Sequence, residues 1–242
     1  MKNFKIISIV LISILIFSGC SMNNKKDKEI DKATQQKNIT KVQNDISEIM
    51  EKDYEYVINN MGKPYLTTYY INTEDYKNYK GLDSQQLLSE LNLEMVYPKE
   101  GYESSALYID IEKNKVVDVE SNEFVGTSSG FEDVPKSLKS ADIVVDLYNK
   151  QGYINTENIK ENELKEYKGK NIENLIQNTA LDMPNAVAYN KDKSKIINYY
   201  ILDNTKENLK YIISITEQNR KITDIAQVSE ASLVNSLVNL SN

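Results

Sequence analysis

Apolar residues along the chain follow two periods, and the change from one to the other marks out the predicted elements. Val42, Ile46, Ile49, Met50, Val57, Ile58 and Met61 recur three and four residues apart, which predicts a helix from Lys41 to about Asn60 with Thr40 and Gln43 as a capping box. Gly62 and Pro64 end it, one by entering the left-handed region and the other by being unable to continue a helix. Downstream the period falls to two. Strands are predicted at Tyr65 to Ile71, Asn92 to Tyr97, Ser104 to Ile111 and Lys115 to Glu120, with a tight turn at Glu112-Lys113-Asn114 and a short helix over Ser84 to Leu91. Leu107, Ile109 and Ile111 alternate with Tyr108 and Asp110, so this sheet is expected to have one apolar and one wet face.

The second half repeats the order of signals. Ile143, Val144, Leu147 and Tyr148 predict one short helix, and Ile172, Leu175 and Ile176 predict another that ends before Pro184. Strands follow at Ala186 to Tyr189, Lys195 to Leu202, Asn208 to Thr216 and Lys221 to Val228, and a helical tail over Ala231 to Leu240. The stretch from Tyr108 to Val119 aligns with Ile212 to Ile225, and Gly62-Lys63-Pro64 with Asp182-Met183-Pro184, which reads as a tandem duplication. Gly126-Thr127-Ser128-Ser129-Gly130 and Pro135 interrupt the apolar rhythm between the halves. The expected organisation is an α+β body of two units, each a helix or helix pair on a roughly four-stranded antiparallel sheet, at 41–125 and 140–242 with a linker at 126–139.

Ahead of the body, Lys2 and Lys5 precede an apolar run from Ile6 to Phe17 that closes on Ser18-Gly19-Cys20. From Ile6 to Gly19 it is about 14 residues, shorter than the roughly 20 a spanning helix needs, so residues 1–19 read as a signal peptide. Phe17-Ser18-Gly19-Cys20 resembles the lipobox of bacterial lipoproteins, with Phe17 in place of the usual Leu. The resemblance implies cleavage before Cys20 and a diacylglycerol thioether on its sulfur, which holds a protein on a membrane through two or more acyl chains. Residues 20–40, almost without apolar side chains, cannot repay their ordering entropy by burial and are expected to be a flexible tether.

Composition narrows the chemistry. The 242 residues contain no histidine or tryptophan, one cysteine and one arginine, which excludes a Ser-His-Asp triad, a histidine zinc site and an intrachain disulfide. A formal charge of −7, made more negative by loss of Lys2 and Lys5, argues against nucleic acid as a partner. The abundance of Asn, Lys, Ile and Tyr is similar to that of low-GC Gram-positive bacteria such as clostridia.

Tyrosine is enriched, with 17 copies against four phenylalanines. Tyr65, Tyr70, Tyr97 and Tyr200 are the candidate partner-binding face, since outward tyrosines offer large contact area at low entropic cost. The plainer reading is that tyrosine fills strand positions in a biased composition. Asn190-Lys191-Asp192-Lys193-Ser194 has alternating oxygen donors but lacks the glycine and bidentate glutamate of a calcium loop, so it reads as a hairpin turn. Asp110, Glu112, Asp118 and Glu120 alternate on neighbouring strands; they offer a carboxylate pair for acid-base work or, more simply, solubilise the outer sheet face. No phosphate-binding glycine fingerprint and no S-x-x-K spacing occurs, so no catalytic residue, metal or cofactor is assigned.

The helix stop at Gly62-Lys63-Pro64 before a tyrosine-rich strand, and the strand-turn-strand ending in Lys115-Val116-Val117-Asp118-Val119, resemble the β-lactamase-inhibitor-protein-like and outer-membrane-assembly-lipoprotein-like superfamily. The resemblance covers about Lys41 to Glu120 and, more weakly, Ser140 to Val228. It implies a non-catalytic module that presents a sheet face to a protein partner. The expected function is therefore a lipid-anchored binding or scaffolding lipoprotein on the outer face of the cytoplasmic membrane. A carboxylate-dependent wall hydrolase would instead need a deep cleft, and a small-molecule-binding lipoprotein a closed apolar pocket.

Overall fold

The computed structural model of the protein describes residues 30–78, 86, 89–100, 105–149, 154–155, 161–179, 181, 183–204 and 209–228. Within them, β1 (Leu66–Ile71), β2 (Asn92–Pro98), β3 (Ser105–Glu112) and β4 (Lys115–Glu123) form one antiparallel meander. Another comprises β7 (Ala186–Asn190), β8 (Lys195–Asn204), β9 (Leu209–Gln218) and β10 (Lys221–Val228). Between them β5 (Ile143–Tyr148) is antiparallel to both β1 and β7. The strand order is thus β10-β9-β8-β7-β5-β1-β2-β3-β4, with the short β6 (Ile154–Asn155) parallel to the far end of β8. The expected pair of separate four-stranded sheets is corrected to one continuous sheet, because β5 joins them by backbone pairing on both sides.

The two meanders close in the same way. Lys113 and Asn114 have φ of 48° and 60°, and Asn219 and Arg220 have φ of 51° and 63°. Each pair forms a two-residue turn whose left-handed backbone matches the twist of the strands it joins. Val117 and Thr223, each the third residue of its strand, lie at a register shift and stand out as bulges. The residue before each bulge bonds back to the chain that leads into a helix. Val116 exchanges hydrogen bonds with Glu51 and Lys52, at 3.1 and 2.8 Å, and Ile222 does so with Gly169 and Lys170, at 2.7 and 2.9 Å.

Helices α1 (Lys32–Asn44) and α2 (Tyr54–Met61) bury Ile39, Val42, Val57 and Met61 against Tyr69, Leu93, Met95, Tyr97, Leu107 and Ile109 on one face of the first meander. Helices α3 (Glu161–Lys165) and α4 (Ile172–Asn178) bury Leu164 and Leu175 against Tyr200, Leu202, Ile213 and Ile215. Strand alternation places these on the opposite face of the sheet. Each fully buried aliphatic or aromatic side chain stabilises the fold by roughly 1.5–3 kcal/mol.

Three expectations change. The single helix over Lys41 to Asn60 is two helices, because Asp45 accepts from Ser47 N and Oγ in a 3₁₀ turn at Ile46–Glu48, and Asp53 accepts from Tyr56 N to start α2. Between them Glu51, at φ 62°, turns the chain out to meet β4. The expected tether is helical from Lys32, where Asp31 caps Thr34 N; Gln35 Nε2 donates to the carbonyls of Met61 and Lys63 at the exposed end of α2, and Ile39 is buried. The helix expected at Ile143 to Tyr148 is β5. Its residues are buried on both faces, so apolar positions fall on adjacent residues and mimic helical spacing. The helix expected at Ser84 to Leu91 lies largely outside the described residues, and the tail over Ala231 to Leu240 lies wholly outside them.

Candidate functional site

Strand register brings a set of carboxyl side chains into one row on the face opposite α1 and α2. Asp118 stands opposite Asp110, Asp110 opposite Glu94, Glu94 opposite Thr68, and Thr68 opposite Asp146, so the row crosses β4, β3, β2, β1 and β5. Directly opposed residues have Cβ atoms about 4.5–5.5 Å apart, and like charges at that separation repel. Glu94, Asp110 and Asp146 are only 1%, 4% and 4% exposed.

What seals the row is the connection between β4 and β5, residues 124–142, which folds back across this face. Ser129 N donates to Glu94 Oε1 at 3.0 Å, Ser128 Oγ to Asp146 Oδ1 at 3.0 Å, and the Tyr70 hydroxyl to Gly130 O at 2.9 Å. Ser137 Oγ bonds Glu112, while Val134, Leu138 and Ala141 pack on Tyr70, Val144 and Tyr189. Phe131 meets the rings of Tyr70 and Tyr189 edge-on. From within the sheet, Thr68 Oγ1 donates to Asp146 Oδ1 at 2.7 Å. Asp110 Oδ1 is buried with no hydrogen-bond partner.

Burial dominates the electrostatics. It pushes the Glu94 carboxyl up to about 7 against the lowering effect of the Ser129 bonds, and the Asp110 carboxyl up to about 8 with the fields of Glu94 and Asp118 adding to it. Asp146 is also raised by burial, although Thr68 and Ser128 bond its charged form. Asp110 thus keeps its proton at neutral pH. The buried carboxyls are closed off from any polymer, and among the described residues no group of His, Cys, Asp and Glu has the arrangement to hold a metal ion.

The residues named from sequence are distributed differently. Asp110 and Asp118 do face each other, but Asp110 is buried rather than solubilising, whereas Glu120 is exposed and Glu112 half-buried. The four tyrosines do not form one outward face. Tyr97 is buried on the helix side with its hydroxyl donating to Gly62 O at 2.8 Å; Tyr70 lies under the 124–142 segment, and Tyr200 lies in the core beside Leu175. Tyr65 is half-buried, edge-on to Phe124 and Tyr148. The pairing alternation assumed in reading them outward is present, but both faces of these strands are covered. Residues 190–194 make the β7–β8 hairpin turn, closed by Asn190 Nδ2 donating to Ser194 Oγ at 2.9 Å. Cys20 and the segment before it lie outside the described residues.

Sequence reasoning missed Glu94 and Asp146. Each is a lone carboxylate among apolar strand residues, in Leu93-Glu94-Met95 and Val145-Asp146-Leu147. That pattern ordinarily marks the wet side of a half-buried strand. An available signal was the apolar content of residues 131–141, Phe131, Val134, Leu138 and Ala141, which is high for an exposed linker.

No family model and no curated protein matches the chain. Among solved structures, the chain is similar to the crystal structure of a "putative beta-lactamase inhibitor protein" from Streptococcus mutans, at 9% sequence identity and a TM-score of 0.26, over 78% of this chain and 96% of that one. The similarity is weak and partial, and the reading of the site rests on the chain's own residues.

Proposed function

We propose that the protein is a lipid-anchored extracytoplasmic lipoprotein whose body binds a protein partner and catalyses no reaction. The observation that carries this reading is the closure of the acidic row. A wall hydrolase needs two carboxyls at the floor of an open cleft, and here Glu94 and Asp146 are bonded by Ser129 and Ser128, and they and Asp110 are at 4% exposure or less. The anchor rests on the lipobox-like Phe17-Ser18-Gly19-Cys20, which sets the lipid on Cys20 and the body at the outer face of the cytoplasmic membrane. The shared turn, bulge and helix-entry bridge of the two meanders support reading them as duplicated units, the first beginning at Lys32 and the second following residues 126–139.

The partner surface is the outer edge of β4. Beyond Val116 this edge has no strand partner among the described residues, and it carries exposed Glu120, Ser121, Asn122 and Glu123 beside half-buried Asp118. An extended segment adds to such an edge through main-chain bonds. The acidic side chains repel a second copy of the same strand and favour a lysine- or arginine-bearing segment. A photoreactive residue placed at Asn122 is expected to capture one extracytoplasmic protein in intact cells, and reversal of Glu120 and Glu123 to lysine is expected to abolish the adduct. Adducts that survive the reversal, or capture of cytoplasmic proteins, would contradict the proposal.

A further inference from the structure

We propose that residues 124–142 are a proton-held latch, closed over the sheet while the Glu94–Asp110–Asp146 row is protonated and released when the row ionises. The inference concerns this segment alone and does not depend on the identity of any partner. It begins from geometry. Of the segment's polar contacts, two, from Ser129 N and Ser128 Oγ, end on carboxyls of the row, while Gly130 accepts from Tyr70, Ser137 bonds Glu112 and Asp142 holds the far end to Ile71 and Thr73. The row is held in register by main-chain pairing, so its members cannot move apart when charged. The movable wall is the segment above them.

The surroundings offer little to balance negative charge. Asp110 faces Glu94 on β2, Asp118 and Glu120 on β4, and Glu112 on its own strand, all acidic, with Tyr108 beside them. From the segment itself Asp133 adds a negative field at Glu94, and Ser128 and Ser129 add only neutral donors. On the other side, Asp146 is near the hydroxyls of Thr68, Tyr148 and Tyr189, and Tyr70 feels the whole row. Among the described residues Lys193 of the β7–β8 turn lowers Asp146 and sits 5.1 Å above the Tyr189 ring, while Lys191 lies 5.9 Å over Phe131 and donates to Lys139 O of the segment. Asp110 Oδ1, buried and without a hydrogen-bond partner among the described residues, has no donor there to accept from once charged. A second or third negative charge in this row is therefore relieved by water, and water enters only if the segment lifts.

The direction follows from linkage. The closed state holds protons that the open state releases, so closure is fully favoured below the ordinary carboxylate range and is lost as pH rises through about 7 and about 8. Lifting uncovers Tyr70, Val144 and Tyr189 together with the apolar underside of the segment.

Amide hydrogen exchange of the full-length protein, corrected for the intrinsic rate at each pH, tests the latch. Between pH 5 and pH 9, protection over 124–142 is expected to fall at least about tenfold more than that of β8 and β9. Glu94→Gln, which keeps an acceptor for Ser129 N and removes one of the three charges, is expected to keep more of that protection at pH 9 than the unmodified chain. Equal protection at both pH values, or the same loss in Glu94→Gln as in the unmodified chain, overturns the proposal. Should Glu94→Gln fail to fold, infrared spectra of the unmodified protein decide it. Protonated-carboxyl bands present at pH 5 are expected to vanish over the pH range in which the segment loses protection, and bands absent at pH 5 or persisting after release overturn it.

Discussion

Replacing Tyr97 by alanine is expected to destabilise the protein by about 3–5 kcal/mol, the range for removing a buried aromatic side chain. Tyr97 is 1% exposed and lies on the helix side of β2, in the cluster that contains Val57, Met61, Met95 and Leu107. Its hydroxyl donates to Gly62 O and lies 3.7 Å from Met95 Sδ. Gly62 is the residue that ends α2, at φ 72°, with its N–H donating to Ile58 O. One side chain thus fills the core and ties down the carbonyl at a helix terminus. Tyr97→Phe keeps the ring and removes only the bond, so it is expected to cost about 1 kcal/mol, with the Gly62 carbonyl left unpaired. Urea unfolding followed by circular dichroism separates the two variants. A loss below about 1 kcal/mol for Tyr97→Ala would place the ring outside the core and return it to the surface role that its sequence position first indicated.

The second large effect is on the pH dependence of stability. Most globular proteins lose stability in acid; this one is expected to lose it as pH rises from 5 to 9. Asp110 is raised from 3.8 to about 8, so the folded state binds a proton that the unfolded chain has released, and the stability this contributes is present below pH 4 and lost through pH 8. At 1.36 kcal/mol per pK unit the upper bound is on the order of 5 kcal/mol, and water entry beside the ionised group reduces the expected loss to about 2–4 kcal/mol. Asp110→Asn carries no charge at any pH. It is expected to match the unmodified chain near pH 4, to exceed it at pH 9, and to flatten the slope between. The carboxylates lowered by capping or pairing, Asp31, Asp45, Glu173 and Asp192, act in the opposite direction only as pH falls below the ordinary carboxylate range. Midpoints that rise with pH, or a variant with the unmodified slope, would contradict the burial of the row.

The strands of the two meanders were readable from the sequence because each has a simple signal: alternation over Leu107 to Ile111, β-branched runs at Lys115 to Val119, and two-residue turns at Lys113-Asn114 and Asn219-Arg220. β5 was not, since a central strand buried on both faces has no alternation to read, and Ile143-Val144-Val145 gives the same apolar density as one turn of a buried helix. The break between α1 and α2 depends on where Asp45 and Asp53 turn their side chains, which periodicity ignores. The acidic row is a product of register between distant segments, with Asp146 and Glu94 both aligned on Thr68. No local pattern around any one of the three residues contains that alignment. The tyrosines failed as a surface for the same reason: alternation tells which face a residue takes, and the cover over that face comes from residues 124–142 and from α4, far away in the chain.

The proposed function has this body stand outside the cell, held by Cys20. The direct test is the intact mass of the protein extracted from membranes with detergent. A chain that begins at Cys20 and carries a diacylglyceryl group on that residue is expected, with Cys20→Ala released from the membrane fraction. A chain that retains residues 1–19, or one recovered from the cytoplasm without lipid, would contradict it.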